Sequence, residues 1–335
     1  MIIGTLTIAF TICCNNFLGQ AKTMLRSLER NNPHVKTFIF LVDKPAGTID
    51  YREFAPAEII FVDEKLIPAF PALLQRYNIV ELNTALRPSV ICYLQAHYPA
   101  ANKLFYLDPD LVIYDSLEVA DDLLDSYDII ITPHFLTPLP IDGCWPFENL
   151  ALNYGTYNMG FLALNLKSTN TNLFLDWWRE RTNLFGHIDL ANGYFTDQIW
   201  FNLVPIFFDK VHTLLHPGYN MAAWNLHERS ISAYGKDGKI MLASGEPLVI
   251  FHFSSWSYRQ PGVISNVYDR FDMEARPDLE QLYKNYATAL QENGIEHYSA
   301  IPCVLPHRVD TIQRSKMKKM LSPGVDLMRK IWNKI

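Results

Sequence analysis

The sequence predicts an α/β protein with a mostly parallel central sheet flanked by helices and a small helical extension at the C-terminal end. Two observations support this prediction. Short apolar runs alternate with amphipathic helical stretches through the first 130 residues, the order that builds parallel sheets. Three of the runs also end in an aspartate, at Asp43, Asp63 and Asp108, and such sheets bind ligands outside the carboxyl ends of their strands.

The elements of this first half follow from hydrophobic periodicity. Ala21, Met24 and Leu25 fall at helical spacing, and the polar stretch before Pro33 stops that helix. Apolar runs predict strands at residues 5–12, 37–42, 58–63 and 103–108. Ahead of the last strand, a helical stripe is formed by Leu86, Val90, Ile91 and Leu94. The alternation indicates one continuous α/β layer.

The second half of the chain is less regular. Strand-like residues 157–165 are followed by an amphipathic helix through Trp177 and Trp178. Aromatic and polar residues then interleave over residues 194–205, 216–229 and 247–256. Apolar walls with a few convergent polar groups are typical of small-molecule pockets. An irregular aromatic core is the alternative interpretation of the same pattern.

Composition and charge limit the classes of function. The 335 residues suffice for one large α/β domain or two small ones, and 49% of them are hydrophobic, enough for a substantial core. The net charge is −6, although residues 308–335 contain eight lysines and arginines against two aspartates. The rest of the chain is therefore strongly acidic. This argues against a nucleic-acid-binding protein, because such proteins present a broad basic face.

The expected location follows from features that the sequence lacks. No apolar stretch approaches the roughly 18 to 20 residues of a membrane-spanning helix. The first four residues, "MIIG", lack the basic start of a secretory signal. We therefore expect a cytoplasmic protein.

The five cysteines are odd in number and include no CxxC pair. They are Cys13, Cys14, Cys92, Cys144 and Cys303. Disulfide frameworks and zinc sites usually show paired or closely spaced cysteines. We therefore expect reduced thiols in or near the core, and neither zinc ligands nor disulfides.

Two aspartates separated by one proline follow the apolar run that ends at residue 108. In an extended segment, residues i and i+2 project to the same side, so the carboxylates of Asp108 and Asp110 would lie close together. Pro109 favours extended geometry in the residue before it. Two such carboxylates repel each other unless a cation or proton lies between them. Because Mg²⁺ and Mn²⁺ prefer oxygen ligands and keep positions open for substrate phosphates, the pair predicts a metal–diphosphate clamp.

Three interpretations of this acid pair remain open on the residues alone. A solvated Asp-Pro-Asp turn is a common use of these residues. A phosphatase of the haloacid dehalogenase type would use Asp108 as its nucleophile, since residues 108–112 fit the spacing of that motif. Sugar transfer from a nucleotide diphosphate would use both acids to bind a metal that neutralises the leaving group. About 100 residues of βα structure precede the pair, and this favours sugar transfer, because the phosphatase motif normally opens its domain.

Seven short motifs occur in a fixed order along residues 5–260. They are "TICCNN", "TALRPSVICYL", "YLDPDLVIYDSL", "YNMGFLALN", "FTDQIWFNLVP", "GYNMAAWNLHER" and "FHFSSW". With this ordered set the chain resembles GT-A glycosyltransferases, in particular glycosyltransferase family 8 and related bacterial cell-surface polysaccharide transferases. The resemblance implies a Rossmann-like GT-A fold and a nucleotide-sugar donor.

The resemblance implies a set of donor-binding residues. Thr11, Cys13 and Asn16 would lie against the nucleoside, although family members often have an acidic or polar residue where this chain has the cysteine. Arg87 matches the basic residue that is directed at the donor diphosphate or sugar, and its planar guanidinium suits anions. A surface arginine on a helix is the alternative. Asn158 would contact the donor sugar.

The same resemblance implies a metal site. Asp108 and Asp110 match the DxD motif of these enzymes, where Asp108 also contacts the donor. His252 matches a late histidine that completes the metal site. An imidazole beside two carboxylates favours Mn²⁺ somewhat over Mg²⁺. A core histidine with satisfied hydrogen bonds is the alternative interpretation of His252.

Catalytic and acceptor-binding residues are also implied by the resemblance. Asp197 and Gln198 match an Asp-Gln pair at the reacting carbon, where they would stabilise the positive charge of an oxocarbenium-like transition state. Arg87 would neutralise the departing diphosphate. A helix N-cap is the alternative role for Asp197. The acceptor side would be lined by Tyr219, Asn220, Trp224 and His227.

The family likeness also implies a domain plan. Residues 1–270 would form the catalytic domain, with a nucleotide-sugar-binding half at 1–130 and an acceptor half at 131–270. Residues 271–335 would form a helical extension that ends in a basic amphipathic tail. Such a tail is typical of peripheral contact with the anionic inner face of a membrane, and packing on protein is the alternative.

The implied reaction moves a hexose from a nucleotide-diphosphate sugar, by family likeness a UDP-sugar, to a glycan or lipid-linked acceptor. Retention of configuration and a role in bacterial surface polysaccharide synthesis are further implications of the resemblance. A phosphatase and a non-catalytic sugar-nucleotide-binding module are the alternatives. The acidic residues and His252 are all present, which argues against the binding module.

Overall fold

The structure, a computed structural model, describes residues 6–235 and 238–303. Strands and helices alternate through its first half. The strands are β1 (Leu6–Cys13), β2 (Lys36–Leu41), β3 (Glu58–Phe61), β4 (Ala101–Leu107), β5 (Leu111–Ile113), β6 (Ile129–Pro133), β7 (Tyr157–Asn165), β8 (Ile188–Asp189), β9 (Tyr194–Phe195), β10 (Val211–Thr213), β11 (Met221–Ala222), β12 (Ile231–Tyr234), β13 (Ile240–Leu242) and β14 (Ile250–His252).

The helices flank these strands. They are α1 (Leu18–Asn31), α2 (Phe70–Arg76), α3 (Ile79–Ala85), α4 (Arg87–His97), α5 (Glu118–Leu123), α6 (Asn149–Tyr154), α7 (Thr169–Phe185), α8 (Val204–Phe207), α9 (Glu280–Glu292) and α10 (Ile295–Ser299). Within residues 6–235 and 238–303, no helix combines the length and apolarity needed to cross a membrane.

The central sheet has seven strands in the order β10-β6-β7-β4-β1-β2-β3. Neighbouring strands are parallel except at β7, which pairs antiparallel with both β4 and β6. The predicted α/β class with a mostly parallel central sheet flanked by helices is therefore confirmed. The sequence does not predict the reversal of β7, because that strand is buried on both faces like its parallel neighbours.

Helices cover both faces of this sheet because the side chains of each strand alternate between two apolar layers. On β1, Ile8 and Phe10 belong to the layer that contains α4 and α7, whereas Ala9 and Cys13 belong to the layer that contains α1 and α10. Burying a large apolar side chain stabilises the fold by about 1.5–3 kcal/mol. The two apolar layers thus hold the strands in place, including the residues at the carboxyl edge of the sheet.

Most predicted strands are confirmed. β7 has the bounds predicted for it, and β1 to β4 lie within two residues of their predicted bounds. Three members of the predicted helical stripe lie on α4, the fourth, Leu86, directly precedes it, and all four are buried. Helices α9 and α10 represent the C-terminal extension. The basic tail lies outside the described residues, and the division into domains remains a prediction.

A second, three-stranded sheet joins the two halves of the chain. Its order is β11-β14-β5, and β5 follows β4 after a short turn. β14 pairs antiparallel with β5, which places His252 opposite Leu111. The amide of Phe253 donates to the carbonyl of Asp110 at 3.0 Å. This pairing brings a late histidine next to the acid pair.

Candidate active site

The acid pair lies in a tight turn between β4 and β5. The amide of Leu111 donates to the carbonyl of Asp108 at 3.3 Å, which closes a β-turn around Pro109. The expectation of extended geometry from Asp108 to Asp110 is therefore wrong, and the turn interpretation of the backbone is right. The two carboxylates still converge, because both face the imidazole of His252.

His252 lies beside the two carboxylates at the end of β14. Its Nε2 lies 3.1 Å from Asp110 Oδ1 and 4.0 Å from Asp108 Oδ2. One ligand atom from each of the three residues lies within 4.8 Å of the others. The imidazole is buried, whereas both aspartate side chains are partly exposed. The three residues form a compact cluster that is open to solvent on the carboxylate side.

Electrostatic interactions couple the members of this cluster. Burial alone would lower the pKa of His252, but the carboxylates of Asp110 and Asp108 raise it above its ordinary value. Burial likewise opposes ionisation of Asp110, yet His252 lowers the pKa of that carboxyl. Each group thus favours the charged form of the other, which draws Nε2 of His252 toward Asp110. A divalent cation would compete with the proton on Nε2.

A chain of buried hydrogen bonds orients His252. The backbone N–H of Gly160 can only donate, so the atom of Asn158 that it contacts at 2.9 Å is the carbonyl Oδ1. The same oxygen accepts from Asn220 Nδ2 at 2.9 Å, and this turns Asn220 Oδ1 toward His252 Nδ1 at 3.2 Å. Nδ1 is therefore the donor in that bond, and Nε2 faces the carboxylates.

Close packing reinforces this orientation. A Cβ atom at Gly160 would lie 2.6 Å from both Cε1 and Nδ1 of His252, so any larger residue would displace the ring. Asn220 has a φ of 55°, in the left-handed region that asparagine adopts more readily than most residues. The ring of Trp224 packs edge-to-face on the imidazole, with centroids 5.1 Å apart. Backbone and side-chain contacts therefore fix the same ring position.

His134 occupies the other end of the hydrogen-bond chain. Its Nε2 lies 3.3 Å from Asn158 Nδ2, and its Nδ1 lies 3.2 Å from the carbonyl of Thr156. Because Asn158 donates through Nδ2, the Nε2 of His134 is the acceptor and Nδ1 carries the proton. Burial lowers the pKa of His134 to about 4, so this ring is neutral near pH 7.

Arg87 lies behind the acid pair, at the first residue of α4. Its Nη2 donates to Asp108 Oδ1 at 2.8 Å, and its Nη1 lies 2.9 Å from Asp197 Oδ2. The guanidinium also lies over the ring of Tyr106, 4.3 Å from its centroid, and the Tyr106 hydroxyl donates to Asp108. Burial would lower the pKa of Arg87, but Asp197 foremost among its neighbours raises it, so the side chain stays charged.

Neither alternative interpretation of Arg87 and Asp197 fits these contacts. Arg87 is 5% exposed, so it is not a surface residue of the helix. Asp197 precedes a short 3₁₀ helix but makes no capping hydrogen bond with its side chain, which pairs with Arg87 instead. The preceding Thr196 has a φ of 47°, which is rare for a β-branched residue and marks a strained backbone beside the pair.

A cavity of about 310 Å³ adjoins Arg87 and the acid pair. The predicted site residues in its wall are Cys13, Asn16, Arg87, Asp108 and Asp110. Asn83 also lines it, and Oδ1 of Asn16 and Oδ1 of Asn83 are buried without a hydrogen-bond partner among the described residues. Buried polar atoms are normally paired, so these two oxygens indicate a place where a ligand would donate hydrogen bonds.

Four predicted donor or catalytic residues do not line this cavity. Asp197 is fully buried and pairs with Arg87. Thr11 is fully buried within β1. Asn158 uses its side-chain amide in the chain that orients His252. Gln198 donates to the carbonyl of Tyr154 at 2.8 Å and accepts from a backbone amide at 3.3 Å. The donor-binding role of Thr11 and Asn158 and the catalytic role of Gln198 therefore remain predictions.

The predicted acceptor residues occupy different positions. Tyr219 is 1% exposed, packs in the apolar layer of α1, and accepts a backbone N–H of α5 through its hydroxyl, so the structure does not bring it to the cluster. Asn220 and Trp224 are buried and contact His252. His227 lies further along the chain against Phe135. Their acceptor roles remain predictions.

The other two aspartates at strand ends do not join the acid pair. Asp63 accepts from the amides of Lys65 and Leu66, which is a local turn contact. Asp43 accepts from the amide of Asn15 and lies near a pair of cysteines. Of the three aspartates predicted at strand ends, Asp108 is the one that lies in the candidate site.

Sequence reasoning missed several residues that shape the site. Tyr106 could have been predicted from the sequence. Residues i and i+2 of a strand face the same side, which places Tyr106 next to Asp108. Gly160 contacts His252 and His134 contacts Asn158 only in the folded chain, so no local sequence pattern identifies them. Asn83 lies on α3, which lines the cavity together with residues from the end of β1.

The donor set of Asp108, Asp110 and His252 fits a divalent cation. Two carboxylates suit Mg²⁺ and Mn²⁺, and the imidazole adds preference for Mn²⁺. Ligating histidines usually donate their other ring nitrogen to a nearby oxygen, as His252 does to Asn220. The partial exposure of both aspartates leaves room for further ligands.

The fold and the site together define an α/β protein with a carboxylate–histidine cluster at the carboxyl edge of its parallel strands. No protein-family model matches the chain. A curated relative, the uncharacterized protein YfnF of Bacillus subtilis (strain 168), is 25% identical over 296 residues, covering 84% of this chain and 90% of the relative.

Solved structures with similar folds include three glycosyltransferases. The galactosyltransferase LgtC, crystallised with donor and acceptor sugar analogs, is 14% identical, with a TM-score of 0.47 over 86% of this chain and 96% of that chain. GlyE of Streptococcus pneumoniae TIGR4 is 16% identical, with a TM-score of 0.48 over 90% and 65%. Mouse xyloside xylosyltransferase 1 is 15% identical, with a TM-score of 0.42 over 75% and 97%. These identities and TM-scores are too low to carry a function over from the neighbours. A functional assignment therefore depends on the residues of this chain.

Proposed function

We propose that the chain is a metal-dependent glycosyltransferase that transfers a hexose from a nucleotide-diphosphate sugar. The observation that carries this proposal is the convergence of Asp108, Asp110 and His252 beside a cavity of about 310 Å³. Parallel α/β sheets bind nucleotides at this carboxyl edge. A cation site beside such a cavity suits a diphosphate, whose oxygens take the open positions of the cation.

Asp108, Asp110 and His252 would bind the cation, Mn²⁺ or Mg²⁺. When bound, the cation neutralises charge on the leaving diphosphate. Asn220 keeps Nε2 of His252 toward the carboxylates by accepting a hydrogen bond from the Nδ1–H group. Arg87 and Tyr106 both donate to Oδ1 of Asp108, which leaves Oδ2 on the side of His252.

Arg87 forms ion pairs with two carboxylates. We therefore assign it two contributions, the positioning of Asp108 and a positive charge beside the acid pair. Its guanidinium lies 2.8 Å from Asp108 and 2.9 Å from Asp197. The positive charge offsets part of the repulsion between the acids of the cluster. Asp197, which is fully buried, would act on the site through Arg87. A direct role of Asp197 and Gln198 at the reacting carbon remains part of the proposal that the resemblance implies.

The nucleoside would bind in the part of the cavity that Cys13, Asn16 and Asn83 line. The unpaired buried oxygens of the two asparagines would accept hydrogen bonds from the base or the ribose. Uridine as the base is the expectation from the family likeness. A glycan or lipid-linked acceptor, retention of configuration and a role in bacterial surface polysaccharide synthesis belong to the same proposal.

The phosphatase alternative is not favoured. It would use Asp108 as nucleophile, and because Oδ1 of that side chain accepts from both Arg87 and Tyr106, only Oδ2 would be available to attack phosphorus. A phosphatase of that type also uses a lysine to bind phosphate. In the described residues, no lysine lines the cavity.

Hydrolysis of UDP-sugars, measured with and without Mn²⁺, tests the proposal. We expect slow release of UDP that requires Mn²⁺ in the wild-type protein and is lost in Asp110→Asn, which keeps the size of the side chain. Asp176→Asn, at an exposed aspartate of α7, is the control and should hydrolyse like wild type. Release of UDP at the same rate without added metal, or by Asp110→Asn, would remove the metal from the mechanism.

The basic C-terminal tail is proposed to contact anionic membranes. Its eight lysines and arginines are the reason, since each basic residue near an anionic surface contributes about 1 kcal/mol. Sedimentation with phosphatidylserine vesicles, comparing the full chain with one truncated at Arg308, tests this. The full chain should sediment and the truncated chain should not. Equal sedimentation would disprove a membrane role for the tail.

A further inference from the structure

A second cluster of metal-ligating side chains lies at the far end of the same cavity wall. The Sγ atoms of Cys14 and Cys303 lie 3.4 Å apart, and Cys303 Sγ lies 3.5 Å from Asp43 Oδ1. The three ligand atoms all lie within 4.8 Å of one another. Cys14 and Asp43 are buried, and Cys303 is partly exposed. No part of the proposed transfer reaction uses these side chains.

The distances match a tetrahedral thiolate–carboxylate site. Two sulfurs bound to Zn²⁺ at about 2.3 Å lie roughly 3.8 Å apart, and a sulfur and a carboxylate oxygen lie roughly 3.5 Å apart. The cluster shows 3.4 Å between sulfurs and 3.5 Å between sulfur and oxygen. A disulfide would need the sulfurs at about 2.05 Å, a much larger movement than the one zinc requires.

A supporting shell fixes the carboxylate. Asp43 Oδ2 accepts from the amide of Asn15 at 3.0 Å, so Oδ1 is the oxygen that faces the thiols. The side chain of Asn15 is held in turn by the carbonyl of Lys44 at 2.9 Å and the hydroxyl of Tyr51 at 2.9 Å. Oriented ligands with a second layer of hydrogen bonds are typical of metal sites.

We propose that Cys14, Asp43 and Cys303 form a second cation site, selective for thiophilic divalent ions such as Zn²⁺. For these two cysteines the proposal departs from the expectation from the sequence, which shows no spacing pattern that would link them. Two thiolates distinguish it from the oxygen-rich acid pair, which suits Mn²⁺. The thiols lose their protons on binding. Cys14 and Cys303 both line the cavity, so the fourth ligand is water or a donor atom of a molecule bound there. The inference is independent of the proposed transferase activity.

An occupied site would join two distant parts of the chain. Cys14 follows β1, and Cys303 follows α10, after a turn in which the Ile301 amide donates to the carbonyl of Tyr298 at 3.0 Å. The ion would thus fix the segment after α10 against the cavity wall. This cross-link predicts that Zn²⁺ raises the melting temperature of the wild-type protein, because a ligand of the folded state stabilises it.

Titration of the fully reduced protein with Co²⁺ tests the site, because thiolate ligands give Co²⁺ a near-ultraviolet charge-transfer band. We expect this band in the wild type and its loss in Cys14→Ser and Cys303→Ser. Asp43→Asn should keep a thiolate band but bind Zn²⁺ more weakly, by at least the roughly tenfold that loss of an outer-shell partner costs. Cys92→Ser, a cysteine of α4, is the matched control and should behave like wild type.

The outcomes separate this site from the acid pair. Asp110→Asn should keep the Co²⁺–thiolate band even where it abolishes Mn²⁺-dependent turnover. If Cys14→Ser fails to fold, Cys303→Ser still tests the site. Cys303 is partly exposed, so its replacement should disturb the fold less. Absence of the band in reduced wild-type protein, or its persistence in Cys303→Ser, would overturn the proposal. The proposal would also be overturned if Cys14 and Cys303 are isolated as a disulfide and the protein does not bind metal after that disulfide is reduced.

Discussion

The side-chain oxygen of Asn220 lies 3.2 Å from Nδ1 of His252, and both side chains are buried. The direction of this bond is set by a distant backbone group, because the N–H of Gly160 fixes Asn158, and Asn158 fixes Asn220. The imidazole therefore presents Nε2 to the carboxylates. The cation site proposed for these residues would be preorganised by amides that do not contact the cation.

Removing the side chain of Asn220 should weaken cation binding. Asn220→Gly tolerates the positive φ but removes the acceptor of Nδ1, so we expect Mn²⁺ affinity to fall about 10–100-fold. Asn220→Asp keeps an acceptor toward His252 but loses the donor to Oδ1 of Asn158, so its affinity should fall between those of wild type and Asn220→Gly. Electron paramagnetic resonance of free Mn²⁺ measures both. Equal affinities for wild type and Asn220→Gly would show that the bond does not position the ring.

Gly160→Ala should displace the imidazole directly. The added Cβ would lie 2.6 Å from two ring atoms of His252, and relief of such overlap typically costs about 1–3 kcal/mol. We expect weaker Mn²⁺ binding together with a lower free energy of unfolding in urea. Gly47→Ala is the control, since a Cβ there meets no atom within 4 Å. A Gly160→Ala protein with wild-type stability and Mn²⁺ affinity would contradict the packing argument.

Arg87 should prove essential for stability as well as for the site. Arg87→Met leaves the buried carboxylate of Asp197 without its partner, so we expect a loss of about 3–5 kcal/mol in the free energy of unfolding. Arg87→Met combined with Asp197→Leu removes both charges and should recover most of that loss. Arg179→Met, in an exposed pair with Asp176, should change stability by less than about 1 kcal/mol. No recovery in the double variant would mean that Arg87 stabilises the fold without Asp197.

His134 should make the fold less stable in mild acid. Burial lowers its pKa from an ordinary value near 6.5 to about 4, so between those values the unfolded chain binds a proton that the folded chain does not. Stability therefore falls as pH drops from about 6.5 to 4, by about 2 kcal/mol at pH 5 from this residue. Urea unfolding at pH 7 and pH 5 measures it. His134→Gln should lose less stability over this interval, and an equal loss would rule out His134 as the cause.

The fold was more predictable than the site, for a physical reason. Strands such as β7 and helix α4 are encoded by local periodicity, which a single sequence displays. The direction of β7 depends on partners that are distant in the chain, and so does the position of Tyr219, whose aromatic ring fills a core layer although its motif suggests a binding residue. Side-chain periodicity does not distinguish these outcomes.

The acid pair shows how far local reasoning reaches. The residue types of Asp108 and Asp110 predict a cation site, but the expected extended backbone is a turn, and convergence depends on the pairing of β14 with β5. Arg87 pairs with Asp197 across 110 positions of the chain, and Cys14 meets Cys303 across 289. Contacts at such separations leave no spacing pattern in one sequence.

The central claim is that a cation bound by Asp108, Asp110 and His252 creates the site for a nucleoside diphosphate. Calorimetric titration with UDP, with and without Mn²⁺, measures this coupling directly. We expect Mn²⁺ to tighten UDP binding on the order of tenfold or more in the wild type. Asp110→Asn should fold normally and bind UDP with the same weak affinity in both conditions. UDP binding that is insensitive to Mn²⁺ in the wild type, or a full Mn²⁺ effect in Asp110→Asn, would contradict the claim.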